Sequence, residues 1–463
     1  MKRREFIKTG TAVGAGVLLG GKSSAFAMKQ ITIRPNILFI MTDQQTAMAM
    51  SCAGNSGLKT PAMDFLAQHG HRFTRAYCPQ PLCGPSRSSI FTGQMPHQVN
   101  ATNNLPQLQG HWKEIPMMGK LMKEAGYETG YVGKWHLPIP SQDKELHGFD
   151  FMNEKTFGNW VDPSIPSDCY EFMGKKREKP YLLVASFTNP HDICEWARGQ
   201  KLRQDFIDEA PLPHQCPPLP ENFEIPVDEP EIIREVQALS WKQYPTREWN
   251  EDKWRQYQWA YNRMTEKVDY YIGMLLESLK KFNQLENTLI IFTSDHGDGC
   301  ASHRWNQKQV LYEEVINVPF IVSWPGHFVQ QTNQRELVSI GQDIIPTMLD
   351  FAGGQKPDVM KGLSLRPLID EKNVRWRDCL VVETEFADGE TLHGVSGRAL
   401  ISDGYKYIVY SKGKKRDQLF NLETDPREKT DLVNLPSENV QLEKMKKLLV
   451  TWCETYNDSF FNR

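Results

Sequence analysis

The feature that most restricts how this chain folds is a series of short apolar runs that alternate with helical stretches. The runs are residues 35–42, 127–132, 181–187, 288–293 and 319–323. Each has the length of one buried strand. Residues 254–282 carry apolar side chains at steps of three and four, which predicts a long helix with one apolar face. We therefore predict an α/β fold, with a large mixed, mostly parallel sheet flanked by helices.

The pattern changes near residue 376. Short strand-like segments follow in quick succession, at 380–386, 398–402, 405–410 and 419–422. Tight turns such as Asp403-Gly404 separate them, and a helix near 440–456 is expected after the last one. This pattern predicts a small C-terminal antiparallel sheet plus helix.

The N-terminus has the layout of an export signal. Basic residues at 2–8 precede a mildly apolar, glycine-rich stretch at 11–20, and Ala25-Phe26-Ala27 is a small-x-small cleavage pattern. Arg3-Arg4 followed by Phe6-Ile7-Lys8 resembles a twin-arginine signal. We expect residues 1–27 to direct the chain through the twin-arginine export machinery to the periplasm or another exported location. The alternative interpretation is a disordered N-terminal tail.

Charge and composition exclude several classes of protein. The 463 residues carry a net charge of −3. The leader has five Lys or Arg and one Glu, a net +4, so its removal takes −3 to −7. This balance excludes binding to nucleic acid through bulk charge, and an anionic substrate must be held by local cations. No apolar run approaches the roughly 20 residues of a membrane span, so we expect no stable membrane insertion.

Polar side chains follow four of the apolar runs, at the point where each predicted strand ends. They are Asp43-Gln44, Lys134 and His136, His191, and Asp295-His296. Because the carboxyl ends of parallel strands form the ligand site of an open α/β sheet, these groups are expected to converge. Each pair alone is also compatible with a turn or a helix cap. Carboxylate and amide oxygens suit Ca²⁺ or Mg²⁺, and His296 adds a nitrogen ligand or a hydrogen-bond partner.

The most specific segment is the string C-G-P-S-R-S-S-I-F-T-G at 83–93. A helix that begins near Pro85 explains part of it, but not the whole string. The nine cysteines include no C-x-x-C pair, and an odd count in an exported chain suggests one cysteine with separate chemistry. Cys83 is our candidate; the pairing of the other eight is open.

The string C-x-P-S-R followed by x-x-x-x-T-G resembles the signature of the type I, formylglycine-dependent sulfatase family of the alkaline phosphatase superfamily. Further family-like motifs follow in order between 34 and 434. They are R-P-N-I-L-F-I-M-T-D-Q-Q at 34–45, G-Y-x-T-x-x-V-G-K-W-H at 126–136, G-F-D at 148–150, P-H at 190–191, S-D-H-G-D at 294–298, L-Y-E-E at 311–314, V-P-F-I-V at 318–322 and L-F-N-L-x-x-D-P-x-E at 419–428. The resemblance implies a catalytic domain at 28–375 and a C-terminal subdomain at 376–463.

In that family the cysteine is converted to formylglycine by a dedicated maturase, and the hydrated aldehyde is the nucleophile. One hydroxyl of the diol attacks sulfur, and the other collapses the intermediate to expel sulfate. The resemblance implies that Cys83 is modified in this way. It also implies that Asp43, Gln44, Asp295 and His296 hold one divalent cation with it, Ca²⁺ or Mg²⁺. Gln44 and His296 stand where many members have Asp and Asn.

The resemblance also implies roles for the remaining polar residues. Arg87 would orient the diol, while Lys134 and Lys308 would clamp sulfate oxygens. His136 would act as the base in the collapse of the intermediate, and His191 would bind sulfate or protonate the leaving alkoxide. The role of His303, in the same region, is open.

Substrate choice depends on the variable parts of the chain. Residues 193–253 predict a long irregular surface insertion, and five tryptophans lie in or just after it, at 196, 241, 249, 254 and 259. With Arg198, Lys201 and Arg203 nearby, they suit a sulfated saccharide, or else they only pin the loop to the body. The alternative substrates are a small aryl sulfate and a phosphate or phosphonate monoester. The alternative function is that of a catalytically silent glycan-binding protein.

Overall fold

The computed structural model describes residues 34–104, 110–155, 161–202, 207–240, 244–388 and 391–462. The predicted export signal, Trp241 and Arg203 lie outside these ranges.

The strands are β1 (Asn36–Asp43), β2 (Gly70–Phe73), β3 (Ala76–Tyr77), β4 (Glu128–Lys134), β5 (Phe151–Lys155), β6 (Tyr181–Pro190), β7 (Thr288–Ser294), β8 (Phe320–Ser323), β9 (Gln331–Asn333), β10 (Val338–Ser339), β11 (Cys379–Asp388), β12 (Thr391–Ser402), β13 (Tyr405–Tyr410) and β14 (Asp417–Asn421). The helices are α1 (Pro61–Gln68), α2 (Cys83–Thr92), α3 (Met118–Glu124), α4 (Lys144–His147), α5 (Val161–Met173), α6 (Ile193–Ala197), α7 (Glu231–Leu239), α8 (Glu251–Lys281), α9 (Glu313–Ile316), α10 (Ile340–Ala352), α11 (Arg366–Ile369) and α12 (Asn439–Tyr456).

The main sheet has eight strands in the order β5-β4-β6-β1-β7-β8-β2-β9. The first five are parallel, whereas β8 runs antiparallel to β7 and to β2. The strand β1 lies between β6 and β7, where Met41 pairs with Ser186 and Thr42 with Ser294. The carboxyl ends of these three strands are therefore level. The prediction of a large mixed, mostly parallel sheet is confirmed.

The apolar run of β1 is explained by burial on both faces. Ile37, Phe39 and Met41 pack into one core with helices α2, α3 and α10. Leu38 and Ile40 face the opposite core, which contains helices α1, α5 and α8. A strand covered on both sides has no solvent face, and so its sequence does not alternate between apolar and polar residues.

The C-terminal part contains a four-stranded antiparallel sheet in the order β11-β12-β13-β14. One face packs on α12 through Leu400 and Val409, and the other packs on the main core through Ala399 and Ile408. The predicted small antiparallel sheet plus helix is thus confirmed. The described residues form one compact unit, and the domain boundary at 375/376 stays a prediction.

The prediction of an irregular insertion over 193–253 is partly wrong, because the segment contains α6 and α7. In α7 the side chains of Ile232, Ile233 and Val236 are buried at helical spacing. Trp254 is 1% exposed, and its ring meets those of Trp249 and Tyr257 edge to face. Trp254 therefore packs the insertion against the body, as the structural alternative expected.

Two further findings concern the whole described structure. None of the nine cysteines, all of which fall in the described ranges, forms a disulfide. Among the described helices, none has the length and apolar character that crossing a membrane requires.

Candidate active site

The structure brings the side chains predicted from the strand ends to one edge of the sheet. Asp43 is the last residue of β1 and Lys134 the last of β4, while Asp295 directly follows β7 and His191 directly follows β6. The pairing of Asp43 with Pro190 places the β6 end beside the β1 end. All four side chains are buried. The convergence therefore follows from strand register.

Cys83 is the first residue of α2, and it is 1% exposed. Its Sγ lies 3.0 Å from Nζ of Lys308, 3.2 Å from Nε2 of His296 and 3.7 Å from Oδ1 of Asp43. Pro85 is tolerated because it lies in the first turn, where its missing N–H has no helical partner. The start of α2 thus presents the Cys83 side chain to the strand ends.

Arg87, one turn further along α2, donates four hydrogen bonds. Its Nε donates to Oδ2 of Asp295 at 2.8 Å and its Nη2 to Oδ2 of Asp43 at 3.0 Å. Its Nη1 donates to the Lys134 carbonyl and to Oγ of Ser186, both at 2.9 Å. The fork of the guanidinium fixes the orientation of both carboxylates at once.

Each carboxylate turns its other oxygen toward Cys83 and His296. Oδ1 of Asp43 lies 4.0 Å and Oδ1 of Asp295 lies 3.8 Å from Nε2 of His296. The Nδ1 of His296 lies 2.8 Å from the Gly297 carbonyl. As a donor to that carbonyl, Nδ1 carries the proton and leaves the lone pair on Nε2 facing the oxygens.

This donor set fits a divalent cation. One oxygen of each carboxylate, one ring nitrogen of His296 and Sγ of Cys83 all lie within 4.8 Å of one another. Burial and the like charge of Asp43 raise the pKa of Asp295 to about 7. Burial also raises the pKa of Asp43, but Lys134 and Arg87 are among the cations that outweigh it and hold that pKa far below its usual range. A bound cation would favour the ionised form of both groups.

Gln44 is adjacent to this set, and its backbone bends sharply at φ 68°. Its N–H donates to Oδ1 of Asp295 at 3.1 Å. Its side-chain Nε2 donates to Oδ2 of Asp298 at 2.8 Å and lies 3.3 Å from Sγ of Cys194. The amide is therefore held in place by Asp298.

Two lysines flank the Cys83 thiol. Nζ of Lys134 donates to Oδ2 of Asp43 at 2.5 Å, and Lys308 contacts Sγ directly. Burial raises the pKa of Cys83, but these two ammonium groups and His296 outweigh it and leave the pKa well below its usual value. The site thus favours negative charge at the position of residue 83.

Two histidines also face Cys83 and hydrogen-bond to it, His136 and His191. Burial lowers the pKa of both, and Lys308 and Lys134 help to lower that of His191 to about 4. Both imidazoles are consequently neutral near pH 7. His191 is placed by Asp162, whose carboxylate accepts hydrogen bonds from the N–H groups of Thr188 and Asn189 at 2.7 and 2.9 Å.

His303 lies elsewhere. Its ring packs on Tyr312 at 4.1 Å, and its Nε2 is 3.4 Å from Nδ2 of Asn222. These contacts tie the loop after β7 to the insertion. The sequence alone assigned no role to Ser186 or Asp298. Each could have been noticed: Ser186 is a serine inside the apolar run of β6, and Asp298 is the last residue of S-D-H-G-D.

The family models and the relatives that this chain resembles are those of sulfatases and a sulphohydrolase. The family model described as Sulfatase matches residues 35–354, and the one described as N-sulphoglucosamine sulphohydrolase, C-terminal, matches residues 301–454. A Delta 4,5-hexuronate-2-O-sulfatase of Bacteroides thetaiotaomicron is 28% identical, over 94% of this chain and 92% of the relative. An N-acetylglucosamine-6-O-sulfatase of the same organism is 26% identical, over 94% and 89%.

A solved structure of a 2-O GAG sulfatase superposes with a TM-score of 0.81 at 28% identity, covering 93% of this chain and 94% of that chain. The similarity therefore extends over both the main sheet and the C-terminal sheet.

Proposed function

The chain belongs to the sulfatase family and is a hydrolase of sulfate esters, and on that premise we propose that it removes sulfate from a sulfated carbohydrate by means of a formylglycine made from Cys83. The observation that carries the proposal is the environment of Sγ, with Lys308 at 3.0 Å and His296 at 3.2 Å. The hydrated aldehyde supplies a nucleophile with a second hydroxyl for release of sulfate.

The cations around residue 83 bind the sulfate group. Nζ of Lys308 contacts Sγ of Cys83, and Nζ of Lys134 contacts the neighbouring Asp43. Their ammonium groups donate to sulfate oxygens and offset the negative charge that develops during attack. Arg87 acts through the two carboxylates that it holds.

Asp43, Gln44, Asp295 and His296, with residue 83, would hold one divalent cation, which we propose is Ca²⁺, with Mg²⁺ as the alternative. Such a cation supplies Lewis-acid stabilisation of an oxyanion. The neutral side chains of Gln44 and His296 give the site a lower negative charge than four acidic ligands would.

His136 and His191 handle protons. Neutral His136 accepts the proton of the hydroxyl that expels sulfate. His191 is held neutral by burial and by the two lysines, and a bound sulfate offsets the lysine charge. The bound substrate thereby raises the pKa of His191 and prepares it to protonate the leaving alkoxide.

The carbohydrate assignment rests on the relatives rather than on the tryptophans. Trp249 and Trp254 pack together, and the face of Trp196 is covered by Nζ of Lys253 at 4.1 Å. The two relatives act, by their names, on a hexuronate and on N-acetylglucosamine. We therefore propose a sulfated uronate or hexosamine as the substrate class.

The test begins with the matured protein. Mass spectrometry of the peptide that contains residue 83 should show a loss of about 18 Da relative to cysteine after coexpression with a formylglycine-generating maturase. Turnover is then measured on sulfated disaccharides, 4-nitrophenyl sulfate and 4-nitrophenyl phosphate. The highest kcat/KM on a phosphate ester would reject the proposal, and an unmodified Cys83 with full activity would reject the nucleophile.

His191→Ala separates saccharides from aryl sulfates. A sugar alkoxide is a poor leaving group that needs a proton, whereas a phenolate leaves without one, so we expect a loss of about 10²-fold or more on the saccharide and much less on the aryl ester. Equal losses on both substrates would place His191 on the sulfate itself.

Export through the twin-arginine machinery is part of the proposal. That route carries folded protein, so Cys83 would be modified in the cytoplasm. The nine free cysteines are consistent with folding in a reducing compartment. Replacement of Arg3 and Arg4 by Lys should retain the protein in the cytoplasm, and unchanged periplasmic yield would contradict this route.

A further inference from the structure

The carboxylate of Asp298 accepts hydrogen bonds from four donors in the described structure, and one of these, the Tyr257 hydroxyl, is shared between its two oxygens. Oδ1 accepts from the N–H of Cys300 at 2.8 Å and from the Tyr257 hydroxyl at 3.0 Å. Oδ2 accepts from the N–H of Gln307 at 3.1 Å, from Nε2 of Gln44 at 2.8 Å and from the Tyr257 hydroxyl at 2.9 Å. The residue is fully buried. One side chain thus joins the residue after β1, helix α8 and both ends of a loop.

That loop, 299–309, carries Lys308 and has an unusual backbone. Six of its non-glycine residues have left-handed φ angles between 47° and 78°: Cys300, Ala301, His303, Arg304, Gln307 and Gln309. Each such residue costs on the order of 1 kcal/mol or more. A loop of this kind keeps its conformation only where the surroundings hold it, and Asp298 holds its two ends by their N–H groups.

Gln307 immediately precedes Lys308, so the hydrogen bond from its N–H to Asp298 fixes the approach to the clamp residue. On the other side, the Lys308 carbonyl accepts from Nε1 of Trp305 at 3.1 Å and from the Tyr244 hydroxyl at 3.4 Å. These bonds tie Lys308 to its own loop and to the insertion. Asp298, in contrast, ties the loop to the end of β7.

Tyr257 connects Asp298 to the tryptophans of the insertion. Its ring lies 6.0 Å from that of Trp196, 5.7 Å from that of Trp249 and 5.9 Å from that of Trp254. Because these rings enclose Tyr257, its hydroxyl is held at Asp298. The aromatic cluster of the insertion therefore has a physical link to the loop that carries Lys308.

We propose that Asp298 is a positioning residue for sulfate ester hydrolysis. It anchors the loop 299–309 and so places Nζ of Lys308 at residue 83, and Tyr257 holds Asp298 in place. The inference rests on the proposed role of Lys308 as a sulfate clamp.

Asp298→Asn is the direct test. An amide has one acceptor oxygen, and its NH₂ group would face donors that the carboxylate now accepts from, so one end of the loop is released. A displaced Lys308 should lower kcat/KM by about 10²-fold. Kcat and KM should change in the same proportions as in Lys308→Ala. In the Lys308→Ala background, Asp298→Asn should add little further loss.

Two more variants complete the design. Tyr257→Phe keeps the ring and removes only the hydroxyl, so we expect a smaller loss of at most about tenfold. The matched control is Asp269→Asn, because Asp269 is also a buried aspartate and accepts from the N–H groups of Ala62 and Met63 at 3.1 and 2.8 Å. Its replacement should lower stability and leave kcat/KM of the folded protein unchanged.

Hydrogen exchange of the amides at 299–309 provides a readout that does not depend on the substrate. It should accelerate in Asp298→Asn and Tyr257→Phe, but not in Asp269→Asn. Unchanged exchange would overturn the anchoring role even if the protein is an active sulfatase. If the losses of kcat/KM in Asp298→Asn and Lys308→Ala were fully additive in the double variant, Asp298 would not act through Lys308. If no sulfate ester is turned over, the proposed function fails, and the exchange experiment alone decides the anchoring role.

Discussion

Two buried ionic clusters of this protein have similar compositions and different geometries. The strand-end cluster consists of Asp43, Asp295, His296 and Cys83 with their cations. The subdomain cluster, between the loop after β7 and the C-terminal sheet, contains His303, Glu314 and Glu428 with Lys406. In each, a His and two acidic side chains bring candidate metal ligands together.

The difference lies in the cations that contact the acidic oxygens. In the subdomain cluster, Nζ of Lys406 bonds directly to Glu428 and lies 3.1 Å from Oε1 of Glu313, while the second oxygen of Glu428 accepts from the Glu313 N–H at 2.7 Å. In the strand-end cluster, Arg87 takes one oxygen of each carboxylate, and the other oxygen faces Cys83 and His296.

The comparison shows that burial and charge do not by themselves identify a functional site. In the subdomain cluster Lys406 lies on Glu428 and Arg427 on one oxygen of Glu314, while the other oxygen of Glu314 is buried without a hydrogen-bond partner among the described residues. In the strand-end cluster Arg87 and Lys134 contact the Oδ2 atoms of Asp43 and Asp295, and the Oδ1 atoms lie on the side of Cys83 and His296. The Glu of the L-F-N-L-x-x-D-P-x-E motif, Glu428, belongs to the subdomain cluster.

The largest expected effect comes from removal of the nucleophile in the strand-end cluster. Cys83→Ala should lower kcat by roughly 10⁴-fold or more, because the nucleophile is lost, and Cys83→Ser should behave in the same way. The thermal unfolding midpoint should stay close to that of the wild type, as measured by calorimetry. Near-native activity in either variant would show that the nucleophile lies elsewhere.

Removal of divalent cations should also affect only this cluster. Chelation is expected to abolish activity, and Ca²⁺ or Mg²⁺ should restore it. Because a cation that binds only the folded state stabilises that state, added Ca²⁺ should raise the unfolding midpoint. In Asp295→Asn this rise should disappear. Full activity in the metal-free protein would reduce the strand-end cluster to a structural role.

Lys406→Met tests the subdomain cluster. Removal of one partner from a buried ion pair leaves an uncompensated charge, which typically costs about 3–5 kcal/mol of unfolding free energy. Chemical denaturation should show this loss, whereas kcat/KM of the folded fraction should be unchanged. Adding Glu428→Gln should recover part of the stability. A selective loss of kcat/KM without loss of stability would contradict the comparison.

The smallest effect concerns a third group, His97 with Glu383, where the chain near α2 meets the C-terminal sheet. Burial lowers the pKa of His97, but the Glu383 carboxylate, 2.5 Å from Nδ1, outweighs it and raises the pKa above its usual 6.5. The stabilisation is therefore complete below pH 6.5 and is lost as pH rises through the raised pKa. His97→Gln should remove this pH dependence of the unfolding midpoint. A pH dependence of the unfolding midpoint that persists in His97→Gln would exclude the His97–Glu383 pair as its cause.

Much of this protein is determined by local sequence. The apolar runs of β1, β6 and β7 require burial on both faces, and the polar residues directly after them must then lie at one edge of the sheet. The predicted placement of Asp43, Asp295 and His191 needed only this rule. The start of α2 at Cys83 likewise follows from Pro85 in the first turn.

Only the tertiary structure decided which atoms meet. The inward oxygens of the two carboxylates are set by Arg87, and the bonds of Asp298 to Gln44 and to Tyr257 join residues 254 and 41 positions apart. The loop that brings Lys308 to Cys83, and the burial of Trp254 under its neighbours, also depend on distant segments. Local patterns fix the direction of a strand and the face of a helix, whereas side-chain orientation depends on partners that only the folded chain brings together.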